Sequence, residues 1–158
     1  SGLDDVLAFM KKDHTIAQAY EQIARMQAAG MIFDAHMMTG VAGKGRGLEN
    51  AEAIAEFFNR TNPHKVINFS IFHQKRAPLY KDIEAGRYVP ADEQENLLEE
   101  RRFIQCIEVP DMVYDGFHDV IEQRFRGTFP KDKQRLLQQV DKAIAYWQTQ
   151  PSCLTIFR

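Results

Sequence analysis

Asp34, His36, Asn68 and Ser70 are the side chains whose types and spacing first suggest chemistry. They recur at every second position in two otherwise largely apolar runs, Met31 to Met38 and Lys65 to Phe72. In an extended strand alternate side chains share a face. Asp34, His36 and Met38 are therefore expected opposite Phe33, Ala35 and Met37, and Asn68 and Ser70 opposite Ile67, Phe69 and Ile71. A face built from a carboxylate, an imidazole, an amide and a hydroxyl fits the wall of a polar cavity. Each run leads into a polar loop, Thr39-Gly40-Val41-Ala42-Gly43-Lys44-Gly45 and His73-Gln74-Lys75-Arg76.

Helical patterns alternate with these strands. Thr15 with Gln18 has the form of a capping box, Ile16, Ala19, Tyr20, Ile23 and Met26 follow at helical spacing, and Gly30 suits a C-terminal cap. Leu48 to Thr61 predicts a second helix closed by Asn62-Pro63. Asp92 with Glu95 opens a third, to about Ile107. Val109 to Tyr114 reads as a short strand weakened by Pro110. Leu136, Leu137, Val140, Ala143, Ile144 and Trp147 mark the last helix, and Thr155 to Arg158 is a terminal strand or tail. Alternation of this kind implies an α/β fold with a parallel sheet and outer helices, with ligands at the carboxyl ends of the strands. A doubly wound sheet buries both strand faces. A polar face fits a barrel whose lumen is wet, yet an eightfold barrel needs about 200 residues or more, so further strands are expected from elsewhere.

With 158 residues, 44% of them hydrophobic, and a net charge of −2, the chain is long enough to bury a core. The mild acidity argues against nucleic-acid binding by charge alone. No apolar run approaches the roughly 20 residues that span a bilayer. Cys106 and Cys153 form no CxxC pair, and as buried thiols they favour a reducing, cytoplasmic compartment. The chain starts at Ser1-Gly2 without an initiator Met, so it is expected to be a piece of something longer, unless Ser-Gly is an appended scar.

Several stretches, in order, resemble the middle of radical S-adenosylmethionine (SAM) enzymes. They are Ser1-Gly2-Leu3-Asp4-Asp5-Val6-Leu7 through Met10-Lys11-Lys12, the helix ending Ala28-Ala29-Gly30-Met31, and the glycine loop Thr39-Gly40-Val41-Ala42-Gly43. Ala51 to Asn59 with Asn62-Pro63, Ala77-Pro78-Leu79-Tyr80 with Gly86, and Glu99-Glu100-Arg101-Arg102 continue the likeness to about Ile107. Ala77 stands where the family pattern has Thr. The branch resembled contains oxygen-independent coproporphyrinogen oxidase and the tRNA methylthiotransferases.

The resemblance implies the C-terminal part of a partial (β/α)6 TIM-like barrel over residues 1–108, with a C-terminal helical extension over 109–158. It implies a [4Fe-4S] cluster that reductively cleaves SAM to a 5′-deoxyadenosyl radical. The CxxxCxxC ligands of that cluster are absent from this chain, so they belong to the N-terminal half of the same barrel, the implied partner. By position, Ser1 corresponds to the end of the fourth strand, near ribose or methionine. Thr39, Gly40, Val41 and Gly43 correspond to the loop near adenine, Phe72, His73 and Gln74 to the end of the sixth strand, and His36 to a lumen position near SAM. The substrate is not implied; the mild acidity speaks against nucleic acid, although the methylthiotransferase likeness keeps tRNA in view. Val109 to Thr128, with Tyr114, Asp115, His118, Glu122 and Arg124, is where substrate contacts are expected.

Plainer readings stand beside these. Asp34 and His36 fit a hydrogen-bonded interior pair, His73 and Arg76 solvated loop residues, and Lys131, Lys133 and Arg135 a solvated helix face. The Gly40 to Gly47 loop departs from the P-loop pattern, with no Ser or Thr after Lys44. His36, His73 and His118 are too scattered to read as a metal site, and no G-x-S-x-G elbow is present. The alternative to an enzyme fragment is a non-catalytic α/β domain binding a nucleotide-like ligand.

Overall fold

Both expected capping boxes form. Thr15 and Gln18 exchange side-chain and backbone hydrogen bonds at the start of helix α2 (Ile16–Ala28), and Asp92 and Glu95 do so at helix α5 (Glu93–Cys106). The computed structural model describes residues 1–154 and 156–157. A short helix α1 (Asp4–Phe9) precedes α2, then come strand β1 (Asp34–Thr39), helix α3 (Gly47–Thr61) and strand β2 (Lys65–Ser70). Strand β3 (His73–Gln74), helix α4 (Pro78–Glu84), α5, strand β4 (Val113–His118), a turn of 3-10 helix, strand β5 (Gln123–Thr128) and helix α6 (Lys133–Trp147) complete the main body. Strand β6 (Ile156–Phe157) pairs with β3; Thr155 and Arg158 of the expected terminal strand lie outside the described residues.

The main sheet is open and mixed, with strand order β1-β2-β4-β5. β1, β2 and β4 run parallel, and β5 returns antiparallel to β4. The region after residue 108 thus gives two strands to this sheet as well as α6, where a helical extension was expected. The strand expected at Val109 to Tyr114 starts only at Val113.

Helices α3, α5 and α6 pack on one face. Ala35, Met37, Val66, Tyr114 and Phe125 of the strands join Ala51, Phe58, Leu97, Phe103, Ile104, Leu136 and Val140 of those helices in one buried core. At roughly 25 cal/mol per Å² of apolar surface removed from water, this layer supplies the main drive to fold. The opposite face carries His36, Met38, Ile67, Phe69, Asp115, Phe117, Arg124 and Arg126, all exposed or half-buried.

The register corrects one expectation. Met37 pairs with Asn68 and Thr39 with Ser70, so Asn68 and Ser70 lie under the helices rather than beside Asp34 and His36. Ile67 and Phe69, expected against the helices, line the open face instead. The physical reason is that register partners in a sheet project to the same side. Polarity alone had set β2 with the wrong face inward. Cys106 and Cys153 are half-buried free thiols rather than fully buried ones. Among the described residues, no helix is long and apolar enough to cross a membrane.

Candidate functional site

The stripe of α5 that faces the sheet changes character along its length. Its C-terminal half is apolar, through Phe103 and Ile104, while its N-terminal half buries Glu93, Asn96, Glu99 and Glu100. That polar half lies over the carboxyl ends of β1, β2 and β4. Buried carboxylates are tolerated only where charge and hydrogen bonds compensate them, and these strand ends supply both.

His118, at the end of β4, is the hub. Its Nε2 lies 2.8 Å from Glu100 Oε2, and its Nδ1 lies 2.8 Å from both Glu93 Oε2 and Ser70 Oγ. Tyr114 donates its hydroxyl to Glu100 Oε1 at 2.5 Å, and Asn68 Nδ2 donates to the Tyr114 oxygen at 3.2 Å. Burial alone disfavours charge on His118, but the carboxylates of Glu100 and Glu93 outweigh it and raise its pKa to about 9. The ring is therefore an imidazolium at neutral pH, donating from both nitrogens. Burial, together with the charge of Glu100, pushes the Tyr114 hydroxyl well above its ordinary pKa.

A second branch centres on Glu99. Its Oε2 accepts the Gly40 N–H at 2.8 Å and its Oε1 accepts Asn50 Nδ2 at 2.6 Å. Burial raises its pKa to about 7, with the Gly40 and Asn50 hydrogen bonds opposing the rise. The Gly40 carbonyl accepts the Tyr88 hydroxyl at 2.6 Å, so the two peptide groups flanking the Gly40 Cα are both held. Gly40 has φ +80°, and a Cβ there would stand 2.6 Å from Asn96 Oδ1. Glycine is required at this position on both counts.

The residues singled out by resemblance fall into three places. Thr39, Gly40 and His73 gather at the strand ends around Tyr88, Glu93 and Glu99. Thr39 is fully buried, and His73 is buried with its ring 5.8 Å from that of Tyr88. Ser1 joins this group through its hydroxyl, which donates to Asn50 Oδ1 at 2.7 Å. Val41 and Gly43 line a separate cavity of about 350 Å³, with Val6, Phe9, Lys44 and Tyr88 among its walls. His36 is exposed on the open sheet face, 6.3 Å from the Phe69 ring, and Phe72 and Gln74 are exposed. Asp34 pairs with His64 at 3.1 Å rather than with His36. Nor is His73 the solvated loop residue of the plainer reading: burial lowers its pKa, and neither ring nitrogen has a partner among the described residues.

Sequence reasoning missed Glu93 and Asn96 and did not foresee the burial of Glu99, Glu100 and His118. The one available signal was spacing, since Glu93, Asn96 and Glu100 fall on the same helical stripe as Leu97, Phe103 and Ile104.

Ser70, His118 and Glu100 have the connectivity of a nucleophile, base and orienting acid. The chemistry does not follow. Ser70 Oγ donates to Glu93 Oε2 at 3.2 Å, Glu93 competes with Ser70 for His118 Nδ1, the two carboxylates favour the protonated ring, and Ser70 is 2% exposed. Among the described residues, no group of three or more His, Cys, Asp or Glu side chains is arranged to hold a metal ion. The hydrogen bonds of the cluster fix the strand ends and their loops. Comparison with protein-family models, with curated proteins and with solved structures returned no match.

Proposed function

We propose that this chain is part of a radical SAM iron–sulfur enzyme, forming part of a barrel wall and contributing to the SAM and substrate pockets. The observation that carries the reading is the one-sided cover of the sheet. Helices α3, α5 and α6 pack on one face, and the other face, with His36, Asp115 and Phe117, is left open. β1 and β5 are both edge strands. A parallel sheet normally has both faces covered, in a doubly wound fold by helices and in a barrel by the rest of the barrel. An N-terminal half supplying further strands at the β1 edge would turn the open face into a lumen.

The residues present do not fit an iron–sulfur cluster, because Cys106 and Cys153 are separate and far apart in sequence. The fit to SAM is better. His73 offers ring nitrogens without a partner among the described residues, and the glycine loop brings backbone to the edge of a cavity. With the cluster, SAM would supply radical initiation; this chain's residues would bind and orient it. The test is the full-length protein. A CxxxCxxC segment should be encoded upstream of Ser1, and anaerobic reconstitution should give a brown protein that converts SAM to 5′-deoxyadenosine. A native gene without that segment would overturn the proposal.

A non-catalytic nucleotide-binding domain is the second reading, favoured by one observation: the 350 Å³ cavity is formed by this chain alone. Calorimetry of the 158-residue chain with SAM and S-adenosylhomocysteine separates the two, since tight binding without the other half favours the second.

A further inference from the structure

The open face carries a charge arrangement that the reading above does not use. In β5, Phe125 turns into the core at 3% exposure, so its neighbours Arg124 and Arg126 turn outward. Both meet Asp115 of β4. Arg124 donates from Nε and Nη2 to the two carboxylate oxygens, each at 2.9 Å, and Arg126 donates from Nε to Asp115 Oδ1 at 2.9 Å. The carboxylate is the inner member, its side chain 13% exposed against 50% and 60% for the two arginines. Arg124 is held further by the Phe117 ring, 5.5 Å below its guanidinium carbon.

Asp115 thus grips one edge of the Arg124 guanidinium and the Nε of Arg126, and leaves the rest of each fork free. Arg124 Nη1 and both terminal nitrogens of Arg126 have no partner among the described residues. Lys65, on the same face of β2, has no ion pair there either. Lys65, Asp115, Arg126 and Arg135 line a shallow cavity of about 470 Å³. Its other carboxylate, Asp132, is already occupied by the Thr128 N–H and Arg135. Asp34, the acidic residue next along the row from Lys65, is occupied by His64. Arg124 and Arg126 therefore face solvent against the single charge of Asp115, and Lys65 stands beside the Asp34 carboxylate.

Exposed ion pairs stabilise a fold by only about 0–1 kcal/mol, and a single lysine would guard an edge strand as well. Two guanidiniums fixed by one sheltered carboxylate have the form of a preorganised oxyanion receptor. We infer that Arg124 and Arg126, positioned by Asp115 and assisted by Lys65, bind the phosphate or diphosphate group of a small molecule on the open face of the sheet. The inference goes beyond the radical SAM reading and does not depend on it, since neither cluster nor SAM enters its test.

The test is isothermal titration of the 158-residue chain with inorganic pyrophosphate at low salt. Saturable binding is expected, weakened about tenfold by Arg124→Gln or Arg126→Gln and severalfold by Arg126→Lys, which keeps the charge but loses the fork. Arg60→Gln, on the far side of α3, should leave it unchanged. Asp115→Asn is the discriminating variant: preorganisation predicts weaker binding, whereas attraction to net charge predicts tighter binding. Circular dichroism checks the fold, and if Asp115→Asn does not fold, Arg126→Lys against Arg60→Gln decides. No pyrophosphate binding, equal loss in Arg60→Gln, or tightening in Asp115→Asn overturns the inference. So does a single-stranded oligonucleotide whose affinity grows with length and which pyrophosphate cannot displace.

Discussion

His118 Nε2 lies 2.8 Å from Glu100 Oε2, and both side chains are at 0% exposure. Removing one member of such a pair strands the other charge in a dry interior, which costs about 3–5 kcal/mol. His118→Ala and Glu100→Gln should each destabilise the chain by that order. The double variant should fall short of the sum, because the Glu100–His118 interaction is then lost once rather than counted twice, while the loss of His118 from Glu93 remains. Urea unfolding of the three variants measures this; additive losses would show that the pair is not a unit.

The same network sets the response to pH. Glu99 is raised from 4.5 to about 7 and His118 from 6.5 to about 9, so the folded chain holds protons that the unfolded chain releases. The Glu99 contribution is complete below its unfolded value and is lost as pH rises through about 7. The His118 contribution is complete below 6.5 and is lost as pH rises through about 9. These two groups should make Tm fall between pH 5 and about pH 9, with His73, whose pKa burial lowers, opposing the fall around pH 6.5. Glu99→Gln should flatten the lower part of that slope and leave the upper part, and a Tm that rises across this range would contradict the assignment.

Local signals were legible where the chain writes them locally. Thr15 with Gln18 and Asp92 with Glu95 announce their helices because cap and third residue lie within one turn. Ala35 and Met37 of β1 announce their buried face by hydrophobicity. Asn68 and Ser70 misled because their polarity suggested a lumen, while their partners Tyr114, His118 and Glu93 lie 23 to 48 positions away. β5 went unseen for a related reason: with Arg124 and Arg126 on an open face, Phe125 is its only deeply buried side chain. Glu93 and Glu100 look like surface residues until His118 is folded between them, and no local rule supplies that pairing.

Gly116 and Gly45 separate two reasons for glycine. A Cβ at Gly116 would stand 2.0 Å from Glu100 Oε1 and 2.7 Å from the Tyr114 hydroxyl, with no unusual φ. Gly116→Ala must therefore push the Glu100 carboxylate out of its bonds, at a cost of about 2–4 kcal/mol. Gly45 has φ +77° and nothing within 4 Å of an added Cβ, so Gly45→Ala should cost only the backbone strain of about 1–2 kcal/mol. Thermal unfolding ranks the two, and a Gly45→Ala loss equal to that of Gly116→Ala would remove the steric explanation.

His73 offers a test in which stability and function part company. Its ring is buried beside Tyr88, burial lowers its pKa, and both nitrogens lack a partner among the described residues. A buried polar group without a hydrogen bond costs about 1–3 kcal/mol, so an apolar ring of similar shape should be tolerated or preferred. His73→Phe is expected to be neutral in urea unfolding or to stabilise by about 1 kcal/mol. If the radical SAM proposal holds and the ring nitrogens serve SAM, the same substitution in the full-length protein should lower 5′-deoxyadenosine formation about tenfold or more, while His73→Gln, which can still hydrogen-bond, should retain more of it. A variant equally stable and equally active would mean that His73 is a packing residue.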